Sequence, residues 1–390
     1  MAGRFRQKFP EPDLSKKKIL CVVGARPNFM KIAPIMVAMK DHQALQPILV
    51  HTGQHYDNAM NHQFFADLGI PEPDVNLEVG SGTHAEQTAE VMKRFEPVVD
   101  REQPHAVLVV GDVNSTIACA LVASKKNVPV IHVEAGLRSF DRAMPEEINR
   151  ILTDQISDLL FTTERLAGEN LLREGIRGDR IHFVGNVMID TLHHNLARAI
   201  PAKRIFEEAH APQRFLSGAY AALTLHRPSN VDHLETLQSL LETITMIGER
   251  IPVAFPLHPR TRSRIESFGL SALLENSNLL ILPPLGYLQM LGLMKDAKLF
   301  LTDSGGVQEE TTALGIPCIT LRENTERTIT VDAGSNTIVG TDRKKILEAF
   351  EDILSSGGKA GKIPEYWDGH AAERIVDLMA QWLQNGGRLA

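Results

Sequence analysis

Short apolar runs alternate with amphipathic stretches along this chain, and that alternation is the strongest constraint on its fold. ILCVVG (19–24), QPILVHTG (46–53), HAVLVVGD (105–112), VPVIHVEA (128–135) and DLLFTT (158–163) read as buried strands. Between them MKIAPIMVAMK (30–40), STIACALVASKK (115–126) and PEEINRILTDQIS (145–157) read as helices. Strands buried on both faces read as continuous apolar runs, so the pattern predicts βα units and parallel sheets. A second series follows: AALTLH (221–226), PVAFPLH (252–258), LLILPPL (279–285), LFLTDSG (299–305) and PCITL (317–321), with helices over 234–250 and 286–297. Two series predict an α/β protein of two Rossmann-like, doubly wound domains, and 390 residues suit two domains of ordinary size. The expected division is a loose arm over 1–16, a first domain over 17–186, a second over 187–368 and a closing helix over 369–390.

Composition removes several classes of function. A net charge of −7 argues against general nucleic-acid binding. No apolar run approaches the ~20 residues that span a membrane, and the basic N-terminus precedes too short an apolar run for a secretion signal. Cys21, Cys119 and Cys318 are widely spaced, with no zinc pattern, which fits a reducing cytoplasm. There is no GxGxxG and no Walker spacing, so nothing advertises NAD. We expect no cofactor and no metal.

Ligands of doubly wound folds sit at the carboxyl ends of the strands. Here those ends carry polar signatures, which should line a cleft between the domains. In TDSGGVQEE (302–310), Ser304, Gly305 and Gly306 open a helix where a phosphate could meet free N–H groups, and Glu309 or Glu310 could reach ribose hydroxyls. The alternative is a tight capped turn. In GARPNFMK (24–31), Arg26 and Lys31 offer cations for a diphosphate. Asp112 in GDVNST and Glu134 in HVEAGLR lie at equivalent strand ends and should converge, with Glu146 and Glu147 close by in PEEINR. Paired acids suit proton shuttling; a salt bridge from Glu134 to Arg138 or Arg150 is the structural alternative. Among fifteen histidines, His226 beside Arg227 is the one expected to face the cleft.

Taken together, GARPNFMKIAPI, HTGQHYDNAM, GDVNSTIACAL, HVEAGLRS, MPEEINRILTD, GNVMID, HPRT, LTDSGGVQEE and ENTER follow the order found in the non-hydrolysing UDP-N-acetylglucosamine 2-epimerase family, which this chain resembles over nearly its whole length. The resemblance implies a GT-B-like fold whose closing helix crosses back to the first domain, and a homodimer. It implies Asp112, Glu134, Glu146 and His226 as the functional core. Arg26, Lys31, Arg138, Ser304, Gly305, Gly306, Glu310 and Arg327 would contact the nucleotide. Gln54, His55 and Met60 match a loop through which many bacterial relatives sense their own substrate. Tyr56 and Asp57 depart from that pattern, so weak or absent substrate activation is expected. Thr328 stands where many relatives have proline after the Arg of NTER.

The chemistry implied is inversion at C2 of a UDP-sugar. That carbon has no neighbouring carbonyl, so direct deprotonation is very hard. Cleavage of the C1–O bond to UDP acidifies the C2 proton, and its loss gives a glycal. Proton return on the other face and re-addition of UDP complete the inversion. Such a route needs a diphosphate clamp and acids on two faces of the ring. UDP-N-acetylglucosamine is the expected substrate. The alternatives are UDP-2,3-diacetamido-glucuronate, whose carboxylate would want an arginine such as Arg142, or a GT-B glycosyltransferase acting on a different acceptor.

Overall fold

The computed structural model describes residues 16–53, 68–275 and 278–387. Two parallel sheets organise the chain. The first contains β1 (Lys17–Val23), β2 (Leu45–His51), β3 (Val75–Asn76), β4 (Ala106–Val110), β5 (Val130–Val133), β6 (Leu159–Thr162) and β7 (Ile181–Phe183). Its order is β3-β2-β1-β4-β5-β6-β7. The second contains β8 (Ala221–Thr224), β9 (Val253–Pro256), β10 (Leu279–Leu282), β11 (Leu299–Thr302), β12 (Cys318–Thr320) and β13 (Asn336–Ile338), in the order β10-β9-β8-β11-β12-β13. Both orders reverse at their centre, between β1 and β4 and between β8 and β11. That reversal is where doubly wound folds open a binding crevice.

Every strand in the sequence reading has its counterpart, most of them shorter, while β1 and β2 begin two residues and one residue earlier than read. β3, β7 and β13 are additional: short edge strands of two or three residues, too brief to show a pattern. The first helix begins earlier than read, at Arg26, with Pro27 in its first turn, a position where a missing N–H costs nothing.

Each sheet is sealed on both faces by apolar helical stripes. On one face of the first sheet, Val91, Phe95 and Val99 of the His84–Glu102 helix pack with Leu20, Val22 and Val107 of the strands. On the other face, the Arg26–Asp41 helix packs beside Val187–Leu196 and Ala371–Gln384. The last of these contributes Ile375, Val376, Met379 and Trp382 to the first sheet's core. The closing helix therefore does return to the first half. Asp190 fixes its start by accepting hydrogen bonds from the backbone N–H groups of Ala371 (3.1 Å) and Ala372 (2.6 Å). Val187–Leu196 and Ala371–Gln384 thus lie side by side on this face, each entered through a short segment, 184–187 and 366–371. These two segments touch: a Cβ on Gly185 would lie 2.1 Å from the carbonyl oxygen of Tyr366, so only glycine fits.

Candidate active site

The site grows from strand ends. After β1, Asn28 Oδ1 accepts from the N–H groups of Gly24 (3.2 Å) and Ala25 (3.0 Å), while its Nδ2 donates to Val110 O (3.0 Å). This ties the β1 turn to the end of β4. One turn into the helix, the buried Lys31 reaches Glu134, with Nζ 2.7 Å from Oε1. It passes over Gly111, where a Cβ would sit 2.8 Å from Nζ and where φ is +65°. Glu134 itself holds φ at +71°, an uncommon conformation for a residue with a side chain, and one that clusters at functional sites.

Glu134 has partners on both sides of the cleft. Arg327, from the second half, donates from Nη2 to the same Oε1 at 2.9 Å. Neither Arg138 nor Arg150, the partners suggested by sequence, binds it. Burial pushes the Glu134 carboxyl up and Asp112 adds to that, but Arg327 and Lys31 outweigh both and hold it below the usual carboxylate range. Its Oε2 is buried with no hydrogen-bond partner among the described residues.

Asp112 stands at the neighbouring strand end, paired with Arg150. Burial again acts upward, and Arg150, Lys31 and Arg327 together hold Asp112 below its ordinary value. Arg150 was read from sequence only as a salt-bridge partner for Glu134. It bridges Asp112 to Glu147, whose Oε2 lies 2.6 Å from Arg150 Nη1. Glu147 also accepts from the N–H groups of Ser139 (3.0 Å) and Phe140 (2.8 Å), so it anchors a loop. Its neighbour Glu146 is half-buried and makes no hydrogen bond or ion pair with the described residues.

Arg138 lies apart from this group. All three of its guanidinium nitrogens are engaged, by Glu174 (2.8 and 2.6 Å), Asp154 (2.7 Å) and Leu137 O (2.7 Å). Its side chain is 1% exposed and its charge is matched by Glu174 and Asp154. Arg142 is exposed in the loop before Pro145. The side chain of Arg26, and Gln54, His55 and Met60 entirely, fall outside the described residues.

On the facing half, Asp303 orients His226. Its carboxylate is 2.9 Å from His226 Nδ1 and accepts from the N–H groups of His226 (3.0 Å) and Arg227 (2.9 Å). Burial pushes Asp303 up, but His226 and these N–H groups hold it low. Ser304 caps the Gly305–Leu314 helix without a side-chain capping bond, which leaves its first N–H groups open to a ligand. In the same helix, Glu310 receives the Tyr287 hydroxyl at 3.1 Å, and burial pushes its carboxyl up to about 8. Lys31, Met188, Tyr287, Ser304, Glu310 and Arg327 line a cavity of ≈ 230 Å³ between the halves. Thr328 takes the first position of the Thr328–Asp332 helix, which proline also suits, so the departure noted in sequence leaves the local backbone intact.

The loop before that helix holds a further charged cluster that the sequence analysis did not single out. Arg322 Nη2 donates to Glu326 at 2.8 Å. Arg322 Nη1 and Arg327 Nη1 are buried without hydrogen-bond partners among the described residues. Buried donors of this kind are costly unless something fills them, and an oxyanion is what they fit. Residues 322–326 are loop, so no helical or strand spacing in the sequence announces this cluster.

The chain matches the family model described as UDP-N-acetylglucosamine 2-epimerase over residues 37–380. It is 44% identical over 365 residues to the UDP-N-acetylglucosamine 2-epimerase of Methanocaldococcus jannaschii, covering 93% of this chain and 98% of that protein. It is 43% identical over 371 residues to the UDP-2,3-diacetamido-2,3-dideoxy-D-glucuronate 2-epimerase of Pseudomonas aeruginosa, covering 93% and 99%. Its fold is similar to the crystal structure of the M. jannaschii UDP-GlcNAc 2-epimerase in complex with UDP-GlcNAc and UDP, with a TM-score of 0.85, 44% identity and coverage of 93% and 99%. With strand ends, acids and helix N-terminus arranged around one cleft, the chain belongs to the UDP-N-acetylglucosamine 2-epimerase family.

Proposed function

We propose that this protein interconverts UDP-N-acetylglucosamine and UDP-N-acetylmannosamine through a glycal. One observation carries the reading: Glu134, beside Asp112, shares a single carboxylate oxygen between Lys31 and Arg327, which come from opposite halves of the cleft. The diphosphate would take over these two cations, together with the N–H groups behind Ser304, Gly305 and Gly306. Glu310 would hold the ribose. As the C1–O bond breaks, its electron pair leaves with UDP, and a carboxylate removes the C2 proton to form the C1=C2 double bond. Asp112 and either Glu134 or Glu146 are our proton carriers. His226, held by Asp303, would stabilise the departing phosphate. We further propose lobes over 17–186 and 187–368, and a homodimer as the working form.

The test is turnover in D2O followed by NMR. Deuterium should enter C2 of the sugar without added NAD or metal. Epimerisation that keeps the original C2 hydrogen would overturn the mechanism, and release of free sugar would indicate hydrolysis.

The comparable identity to the P. aeruginosa diacetamido-glucuronate enzyme favours a second reading. Here Arg142 would bind the C6 carboxylate. Side-by-side kcat/KM on both nucleotide sugars decides between them. A strong preference for the uronate, abolished by Arg142→Ala, would replace the first reading.

A further inference from the structure

His132 and Asp154 are fully buried between the strands and helices of the first half, and neither has a place in the chemistry above. His132 lies on β5, in register with Val109 on one side and Leu160 on the other. An aliphatic residue at this position would bury as well and need no partners. A polar pair here must be fully hydrogen-bonded to be tolerated. The choice of partners is therefore informative.

His132 Nε2 donates to Gly111 O at 2.8 Å, and Nδ1 meets Asp154 Oδ1 at 2.7 Å. Each ring nitrogen thus has an oxygen partner. The other carboxylate oxygen, Asp154 Oδ2, accepts from Gly136 N at 3.1 Å and from Arg138 Nη2 at 2.7 Å. Gly111 immediately precedes Asp112, and Gly136 follows Glu134 by two residues. Both turns contain left-handed residues that need outside support: Gly111, Glu134 and Gly136 have φ of +65°, +71° and +80°.

The Pro145–Ile156 helix supplies the other end of the device. Glu147, Arg150 and Asp154 fall on one buried face at spacings of three and four. Arg150 holds the Asp112 carboxylate, Glu147 holds the loop at Ser139 and Phe140, and Asp154 holds His132 and Gly136. One helix face thus grips both acid-bearing turns.

We propose that His132 and Asp154 are positioning residues, a single buried pair that fixes the Gly111–Asp112 and Glu134–Gly136 turns relative to each other and so sets the proton-transfer geometry without touching the sugar. This rests on the reading of Asp112 as one proton carrier and on the choice of Glu134 over Glu146 as the other. A shift of about 1 Å in either turn is enough to lower turnover by roughly 100-fold.

The two amide homologues of histidine separate its two bonds. The terminal nitrogen of glutamine reaches about as far as Nε2, and that of asparagine about as far as Nδ1. His132→Gln keeps the donor to Gly111; His132→Asn keeps only the donor to Asp154. Each is compared with wild type for kcat, KM, Tm, UDP affinity and the free glycal released per turnover. We expect His132→Asn to lose about 100-fold in kcat, with KM and UDP affinity within about threefold of wild type and more glycal leaking out. His132→Gln should recover most of that loss. Asp154→Leu, similar in shape but with no acceptor for His132, Gly136 or Arg138, should lower kcat about tenfold at unchanged KM. Rates are normalised to the UDP-binding fraction, which removes misfolded protein from the comparison. Equal kcat in both His132 variants overturns the inference, as does a loss that tracks UDP affinity, or wild-type kcat in Asp154→Leu. Absence of turnover in the wild type instead overturns the functional reading itself.

Discussion

Glu134→Gln should bind UDP more tightly while losing activity, because the residue competes with the ligand for the same cations. In the structure Lys31 and Arg327 approach one oxygen at 2.7 and 2.9 Å, and the Glu134 side chain is 1% exposed. At an effective dielectric constant of ~20, each contact carries a gross attraction of about 6 kcal/mol. Most of this offsets the cost of burying three charges, and removal of one partner from such a cluster typically costs about 3–5 kcal/mol. Glutamine keeps an oxygen acceptor but leaves two buried cations facing each other. We expect the lower end of that range, about 3 kcal/mol, seen as a fall of several degrees in Tm without ligand. A diphosphate restores the missing negative charge. It no longer has to displace Glu134, so the UDP Kd should fall about tenfold, equivalent to ~1.4 kcal/mol. Turnover should fall by ~10²–10⁴-fold through loss of a proton carrier. Titration calorimetry with UDP, thermal unfolding with and without UDP, and NMR turnover give the three readouts. Weaker UDP binding by the variant, together with an unchanged Tm in the free protein, would refute the idea that Lys31 and Arg327 are shared.

Glu146→Gln should also lower kcat by ~10²-fold or more, yet leave the Tm nearly unchanged, since Glu146 makes no ion pair to lose among the described residues; near wild-type turnover would remove it from the acid set. Arg138→Met should lower Tm and leave KM alone, because its guanidinium is spent on Glu174 and Asp154; a raised KM at unchanged Tm would return it to the nucleotide site. Glu164, 5% exposed, has its carboxyl pushed up to about 8, first by burial, with Arg327 opposing and Glu309, Asp332 and Glu134 assisting. Its folded form therefore keeps a proton that the unfolded chain releases near pH 4.5, so its contribution to stability is present below that pH and is lost as pH rises through about 8. The Tm advantage of Glu164→Gln over wild type should be small at pH 5 and widen towards pH 8; a constant difference across that range would contradict the assignment.

The strands and the two acids at their ends were legible in the sequence because apolar runs and polar terminators are local signals. Asp112 and Glu134 sit on adjacent parallel strands, which the βα pattern already implied. The partners of Glu134 were not legible: Arg327 lies 193 residues away in sequence, and no spacing reports a contact between two separate sheets. The partners of Arg138, Asp154 and Glu174, lie on or at the end of later helices, so no local spacing around HVEAGLR announces them. Arg150 was within reach of pattern reasoning, since it shares a helix face with Glu147. The His84–Glu102 helix also had a clear start signal, with Thr83 and Glu86 forming a reciprocal capping box that the sequence reading passed over.

The return of the Ala371–Gln384 helix has a consequence for how the chain is made. Ile375, Val376, Met379 and Trp382 complete the core around β1, which leaves the ribosome more than 350 residues earlier. The second sheet, entirely internal to that span, can close around its own core while the first still lacks a wall. During synthesis the half that emerges first is thus the half that finishes last, with the apolar flank of Arg26–Asp41 open to water until the end. A nascent chain halted before residue 371 should bind chaperones through that flank, and adding the missing helix as a separate peptide should release them.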